Sequence, residues 1–369
     1  MSAVNIKSIL RRWTVWVPLV AVVALVFSWG RALPPFAVVV VALCLAGAVL
    51  AAVHHAEIVA YRVGEPFGSL VLAVAVTVIE VALIVTLMVD GGAKSASLAR
   101  DTVFAAVMIT CNGIVGLSLL VAALRNRVAV FNAEGSGAAL ATVATLATLS
   151  LVLPTFTTSK PGPQFSSAQL TFAAVASLGL YGLFVAVQTV RHRDYFVSVT
   201  HDGDIRDEVD DEPAHAPGRS AAVLSLVMLL VALIAVVGDA KAVSPTIESG
   251  VESAGLPHAV VGVVIALLVL LPETLAAVRA ARRDRVQTSL NLALGSAMAS
   301  IGLTIPAIAL ATIWLEGPLL LGLSATHMVL LALTVVVGAL TVVPGRATLL
   351  QGGVHLAIFA AFVFLAVSP

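Results

Sequence analysis

Two glutamates carry most of the chemistry legible in this sequence. Glu80 lies near the middle of Gly64 to Val89, GEPFGSLVLAVAVTVIEVALIVTLMV, and Glu273 lies within Gly262 to Ala280, GVVIALLVLLPETLAAVRA. Both runs are otherwise apolar and long enough to cross a bilayer. A carboxylate at the centre of a spanning helix costs about 2.5 to 3.5 kcal/mol on insertion scales, so such a group ordinarily faces a cavity and handles ions or protons. The bland alternative is a structural acid held neutral by a hydrogen bond. At helical spacing Ser69, Ala73, Thr77 and Glu80 share one face, which lets another helix approach beside the acid. Gly262, Ala266, Ala277 and Ala280 lie on or near the face of Glu273, and Pro272 directly precedes it. Pro272 cannot donate a backbone hydrogen bond, which frees a carbonyl near Leu268, and helices broken in this way present backbone oxygen to cations.

Neighbouring segments add neutral oxygen. The run from Gln287 carries Asn291, Ser296, Ser300 and Thr304, and its counterpart in the first half carries Thr110, Cys111 and Asn112. A serine in a membrane helix is as often a packing contact as a ligand. Calcium takes 6 to 8 oxygens at about 2.3 to 2.6 Å, so two carboxylates, backbone carbonyls, waters and Thr77, Asn291 or Ser296 suffice in kind for a shell. Without the cation, two close carboxylates in a low-dielectric cavity repel each other, and protons take the cation's place.

The elements that must position these residues are membrane helices. The chain of 369 residues is 60% hydrophobic and 11% charged, with a mean hydropathy of +1.08, which describes an all-α polytopic membrane protein. Its formal charge of zero gives no footprint for nucleic acid. Cys44 and Cys111 both fall in apolar segments, so neither a disulfide framework nor a thiolate metal site is expected. Counting about 20 apolar residues per span gives runs at about 13–30, 34–54, 66–89, 102–124, 137–153, 168–190, 220–238, 257–279, 287–314, 320–343 and 347–367, about eleven in all. The first is read as a retained helix and not a cleaved signal, since no clear small-residue site precedes Arg31. With the N-terminus inside, fifteen of the twenty basic residues fall on the inner side, as the positive-inside rule requires.

The expected organisation is an N-terminal helix over 1–32, a first five-helix repeat over 33–190, an acidic cytoplasmic linker over 191–219 and a second five-helix repeat over 220–369. An odd number of spans per half inverts the second half, the design of transporters with a midplane site, and pseudo-symmetry then places Glu80 and Glu273 face to face. The linker holds eight of the twenty acids, among them Asp202, Asp204, Asp207 and Glu212. It reads as a solvated connector or as a cation-attracting segment. It is no EF-hand, because Pro213 stands where the bidentate Glu is required.

His54 to Ile84, HHAEIVAYRVGEPFGSLVLAVAVTVIEVALI, and Leu271 to Pro306, LPETLAAVRAARRDRVQTSLNLALGSAMASIGLTIP, resemble the two repeats of the calcium/proton exchanger (CAX) family of the Ca2+:cation antiporter superfamily, in its bacterial ChaA-type calcium/sodium-proton branch. The resemblance covers nearly the whole chain. It implies eleven helices, with Glu80 and Glu273 binding cation and proton alternately. Many members have a GNAVE pattern where this chain has Val76, Thr77, Val78 and Ile79 before Glu80, so a hydroxyl replaces an amide oxygen and Na+ or K+ joins Ca2+ as expected cargo. No cofactor is expected. Neither is enzymatic chemistry, since the sequence has no HExxH, GxSxG or GxxxxGK[ST] run. The rival reading is a passive cation channel, which usually needs a symmetric oligomeric pore. The lipid bilayer and the transported ions are the expected partners, in a bacterial cytoplasmic (inner) membrane.

Overall fold

A computed structural model describes residues 13–31, 33–64, 67–91, 96–199, 217–257, 259–314 and 317–369. The acids of the linker from Asp202 to Glu212 lie outside the described residues, as does the side chain of Ser69. Twelve helical segments follow in order: α1 (Trp13–Ser28), α2 (Pro35–Val63), α3 (Phe67–Gly91), α4 (Leu98–Asn126), α5 (Ala133–Phe156), α6 (Ser167–Arg191), α7 (Arg219–Ser253), α8 (Ala259–Val269), α9 (Leu271–Arg282), α10 (Val286–Ala311), α11 (Ala325–Val342) and α12 (Leu349–Val367). The fold is nearly all-helical. The exception is a pair of two-residue strands, β1 (Ala129–Val130) and β2 (Arg346–Ala347), paired antiparallel with Ala129 opposite Ala347.

Among the described residues, eight helices are long and apolar enough to span a bilayer, or nine if α8 and α9 form one span bent by 52°. Two further apolar helices, Trp13–Ser28 and the part of α3 from Ala73 to Val89, are shorter than the roughly 20 residues a perpendicular span needs. The protein is therefore an integral membrane protein. Helix starts follow the sequence: Ser166 with Gln169 and Thr348 with Gln351 form reciprocal caps on α6 and α12, and the side chain of Asn132 accepts from the Gly135 N–H at the head of α5. Gly64 ends α2 at φ 77, a backbone conformation that glycine adopts without strain.

Contacts divide the chain into two compact units. The first comprises residues 1–92 and 212–261, the second 93–211 and 262–369. In the first, α7 lies along α2, with α1 and α3 each packed against both. In the second, α10 is the axis: α4, α5, α6 and α9 pack on it, α12 lies along α4, and α11 meets α5 and α12. Burial agrees, with 78% of the apolar window of α4 and 61% of that of α10 covered, against 22% for α6. Phe172 on α6 and Phe364 on α12 turn outward as a lipid-facing surface does.

Close approach in the second unit rests on glycine. A Cβ at Gly352 of α12 would lie 2.8 Å from the Leu120 amide nitrogen and 3.0 Å from the Gly116 carbonyl of α4, so two backbones touch where no side chain intervenes. At the ends of α4 and α9, Arg125 donates to the Arg282 carbonyl and Asn126 to the Asp284 carboxylate. These ties bind together the basic turns that the sequence assigns to the inner side.

Candidate cation and proton site

Glu80 is 5% exposed although it is ionisable, and Thr77, one turn earlier on the same face of α3, is 6% exposed. Ile79, Leu83 and Ile84 around them are buried as well. Among its described side chains, α3 thus buries one acid, Glu80, and one hydroxyl, Thr77, in the first unit.

Glu273 belongs to the second unit and is placed differently. The helix breaks at Leu270 (φ −86, ψ 1), Pro272 occupies the start of α9, and Glu273 falls in its first turn. The expected break at Pro272 is thus present as the 52° bend between α8 and α9. Pro is tolerated in a first turn because its missing N–H would have no partner there, and an acid near a helix N-terminus meets the positive end of the dipole. Glu273 is half-buried. α3 has no such break: its helix runs unbroken from Phe67 to Gly91.

The neutral oxygens sort into committed and uncommitted ones. Asn291 on α10 accepts from the Gln287 amide at 2.9 Å and donates to the Phe196 carbonyl at 2.6 Å, and Gln287 also accepts from the Asn132 N–H at 2.7 Å. These bonds join the head of α10 to the head of α5 and to the 3-10 turn Arg193–Phe196. Ser296 is half-buried on the same helix. Thr304, two turns beyond it, and Thr102 on α4 are fully covered, and neither hydroxyl has a hydrogen-bond partner among the described residues. Thr102 packs beside Gly262 of α8, where a Cβ would come within 3.0 Å of its amide nitrogen. The described residues hold no cluster of three His, Cys, Asp and Glu side chains fit to ligate a metal.

Sequence reasoning named Asn112 as a neutral oxygen but not its partners, and it passed over Asp239. Asn112 sits in a wide π-type turn, Ile109–Ile114, of the kind that often marks a functional segment. It donates to the Thr334 hydroxyl at 2.9 Å, and its carbonyl accepts from His355 Nδ1 at 3.1 Å, while His355 Nε2 meets the Thr341 hydroxyl at 3.1 Å. A cavity of about 20 Å³ opens beside Cys111, Thr334, Thr341 and His355. Asp239 of α7 is 0% exposed. The hydropathy run ends at Gly238, so the sequence places Asp239 just outside a span, whereas the helix continues to Ser253.

Comparison with known proteins fixes the family. The chain matches the family described as sodium/calcium exchanger protein over residues 33–190 and 224–368. It belongs to that family. Among relatives, this family member is 47% identical over 360 residues to y4hA of Sinorhizobium fredii, covering 97% of this chain and 96% of that protein. It is 34% identical over 351 residues to the sodium-potassium/proton antiporter ChaA of Escherichia coli, covering 94% and 93%. The fold is similar to that of YfkE, with a TM-score of 0.68 at 16% identity over 97% of this chain and 99% of that one. It is likewise similar to the H+/Ca2+ exchanger CAX, with a TM-score of 0.68 at 14% identity over 95% and 86%. The expected family and the all-helical membrane fold are both borne out.

Proposed function

We propose that this exchanger-family chain is a secondary active cation/proton antiporter that exports Ca2+, and also Na+ or K+, against H+ by alternating access. The observation that carries the reading is Glu80, an acid 5% exposed at the middle of an apolar helix. The full-length relationship to a protein named as a sodium-potassium/proton antiporter supports it. Glu80 and Glu273 are the proposed shared sites. Each holds either a cation, with its carboxylate ionised, or a proton, because an uncompensated charge in a low-dielectric interior is too costly to persist.

Thr77, one turn from Glu80 on α3, and Ser296 on α10 are the proposed neutral oxygens. Asn291 enters with its amide already engaged, keeping at most one acceptor lone pair for an ion, so its larger part is to hold α10 in register. The positive-inside count supports a cytoplasmic N-terminus in a bacterial inner membrane. The passive channel gains no specific observation.

The test is transport by proteoliposomes under an imposed pH gradient with Ca2+, Na+, K+ or Mg2+ added outside. Antiport moves protons on addition of the carried cation, whereas a channel gives uncoupled current. Glu80→Gln and Glu273→Gln keep shape but neither release a proton nor supply charge, so each abolishes exchange while the protein still inserts and elutes as a folded species. Near-normal exchange in either variant removes that residue from the site.

A further inference from the structure

Asp239 is a carboxyl group for which the described residues of the first unit supply no hydrogen-bond donor. It is 0% exposed, and neither of its oxygens has a hydrogen-bond donor among the described residues. Val236, Ala240 and Val243 on its own helix are buried around it. Gly238, its neighbour, admits the Leu25 side chain of α1 against the backbone, which closes that side with hydrocarbon.

The titratable groups on the surrounding elements are few. α2 brings the Cys44 thiol within electrostatic reach of Asp239, while its remaining ionisable residues, from His54 to Arg62, lie ten or more positions further along. That separation is roughly 15 Å of helix. α1 has no ionisable side chain, and α3 contributes Glu80 and, at its end, Asp90. On α7 itself Lys241 is exposed and stands two residues on, about 200° around the helix from Asp239, Arg219 and Glu252 are at the helix ends, and Glu248, another acid, is nine positions further along. No cation is therefore built in beside this acid among the described side chains. An ionised carboxylate so placed would forfeit its hydration without recompense. Its stable form is the neutral acid, and it becomes charged only in a conformation that opens α7 to water or brings a cation to it.

We infer that Asp239 is a further proton-binding site of the transport cycle, separate from Glu80 and Glu273, that takes up a proton when α7 is closed against α1 and α2 and releases it when the packing opens. The step is simple protonation of a carboxylate, with no other bond made or broken. It rests on the antiport reading above, and α7 also packs on α3, the helix of Glu80.

The test uses the full chain. Infrared difference spectra of the purified protein across a pH titration report protonated carboxyl groups. A band lost in Asp239→Asn, shifted in Asp239→Glu and retained in Glu80→Gln is expected, and the Glu variant keeps the readout should the Asn variant fail to fold. In proteoliposomes, Asp239→Asn is expected to slow exchange about tenfold or more and to remove one step from its pH profile, with the step restored by Asp239→Glu. A band insensitive to both substitutions overturns the inference. So does a band that responds while the pH profile stays that of the wild type, which would make Asp239 a neutral packing acid. If Glu80→Gln and Glu273→Gln exchange normally while the Asp239 step persists, the shared-glutamate reading fails and this one stands.

Discussion

The buried pair Thr77 and Glu80 is where selectivity is set if the two act as one site. A threonine hydroxyl is a smaller and less adaptable ligand than an amide carbonyl, so an ion site built on Thr77, as proposed, would hold fewer strong neutral oxygens than one with Asn at this position. Thr77→Asn should therefore shift the ratio of Ca2+ to Na+ transport towards Ca2+, and Thr77→Val should weaken both. An unchanged ratio in both variants, measured at equal protein in the same vesicles, would make Thr77 a packing residue. Glu80 was legible because composition alone singles it out: one acid inside a long apolar run has no other plausible address. Asp239 was not, because Gly238, Lys241, Ser244 and Pro245 crowd around it and lower hydropathy until the run looks finished. The pairing of His355 with Asn112 was illegible for another reason. Their hydrogen bond joins positions 243 residues apart, and nothing local to either residue announces the other.

Among the elements, the bend at Leu270 was signalled by Pro272, whose missing N–H removes one helical bond. Proline alone does not decide it, since Pro18, Pro245 and Pro306 lie inside continuous helices. The wide turn at Ile109–Ile114 was not signalled, because none of its residues is specific to that geometry. Close backbone approach is intermediate: glycine permits it, but only the fold decides which glycine is used. On α12, Gly352 touches the backbone of α4, whereas a Cβ at the adjacent Gly353 meets nothing within 4 Å. Gly352→Ala should lower stability by about 1 to 3 kcal/mol, because the atoms it meets are backbone and cannot rotate away. Gly353→Ala should leave the melting temperature in detergent unchanged or slightly raised. Equal melting of the two variants would show that α4 and α12 yield at this crossing.

At the scale of the whole molecule, the packing units are discontinuous in sequence. α1, α2 and α3 come from the first quarter of the chain, yet α7, the helix along which α2 lies, begins only at Arg219. The second unit likewise draws α4, α5 and α6 from before the acidic interval and α9 to α12 from after it. During synthesis neither unit can be completed by the amino-terminal half: α2 must wait in the bilayer with the face later covered by α7 open to lipid, and α4 must wait for α10 and α12. The nascent protein is thus committed to assembling late, and a ribosome that stops in the interval leaves two incomplete cores, not one finished half. Residues 1–211 and 212–369, expressed separately, should each be degraded or remain sensitive to protease, and expressed together they should recover a protected, extractable complex. Protease resistance of either fragment alone would mean that its helices find sufficient cover among themselves.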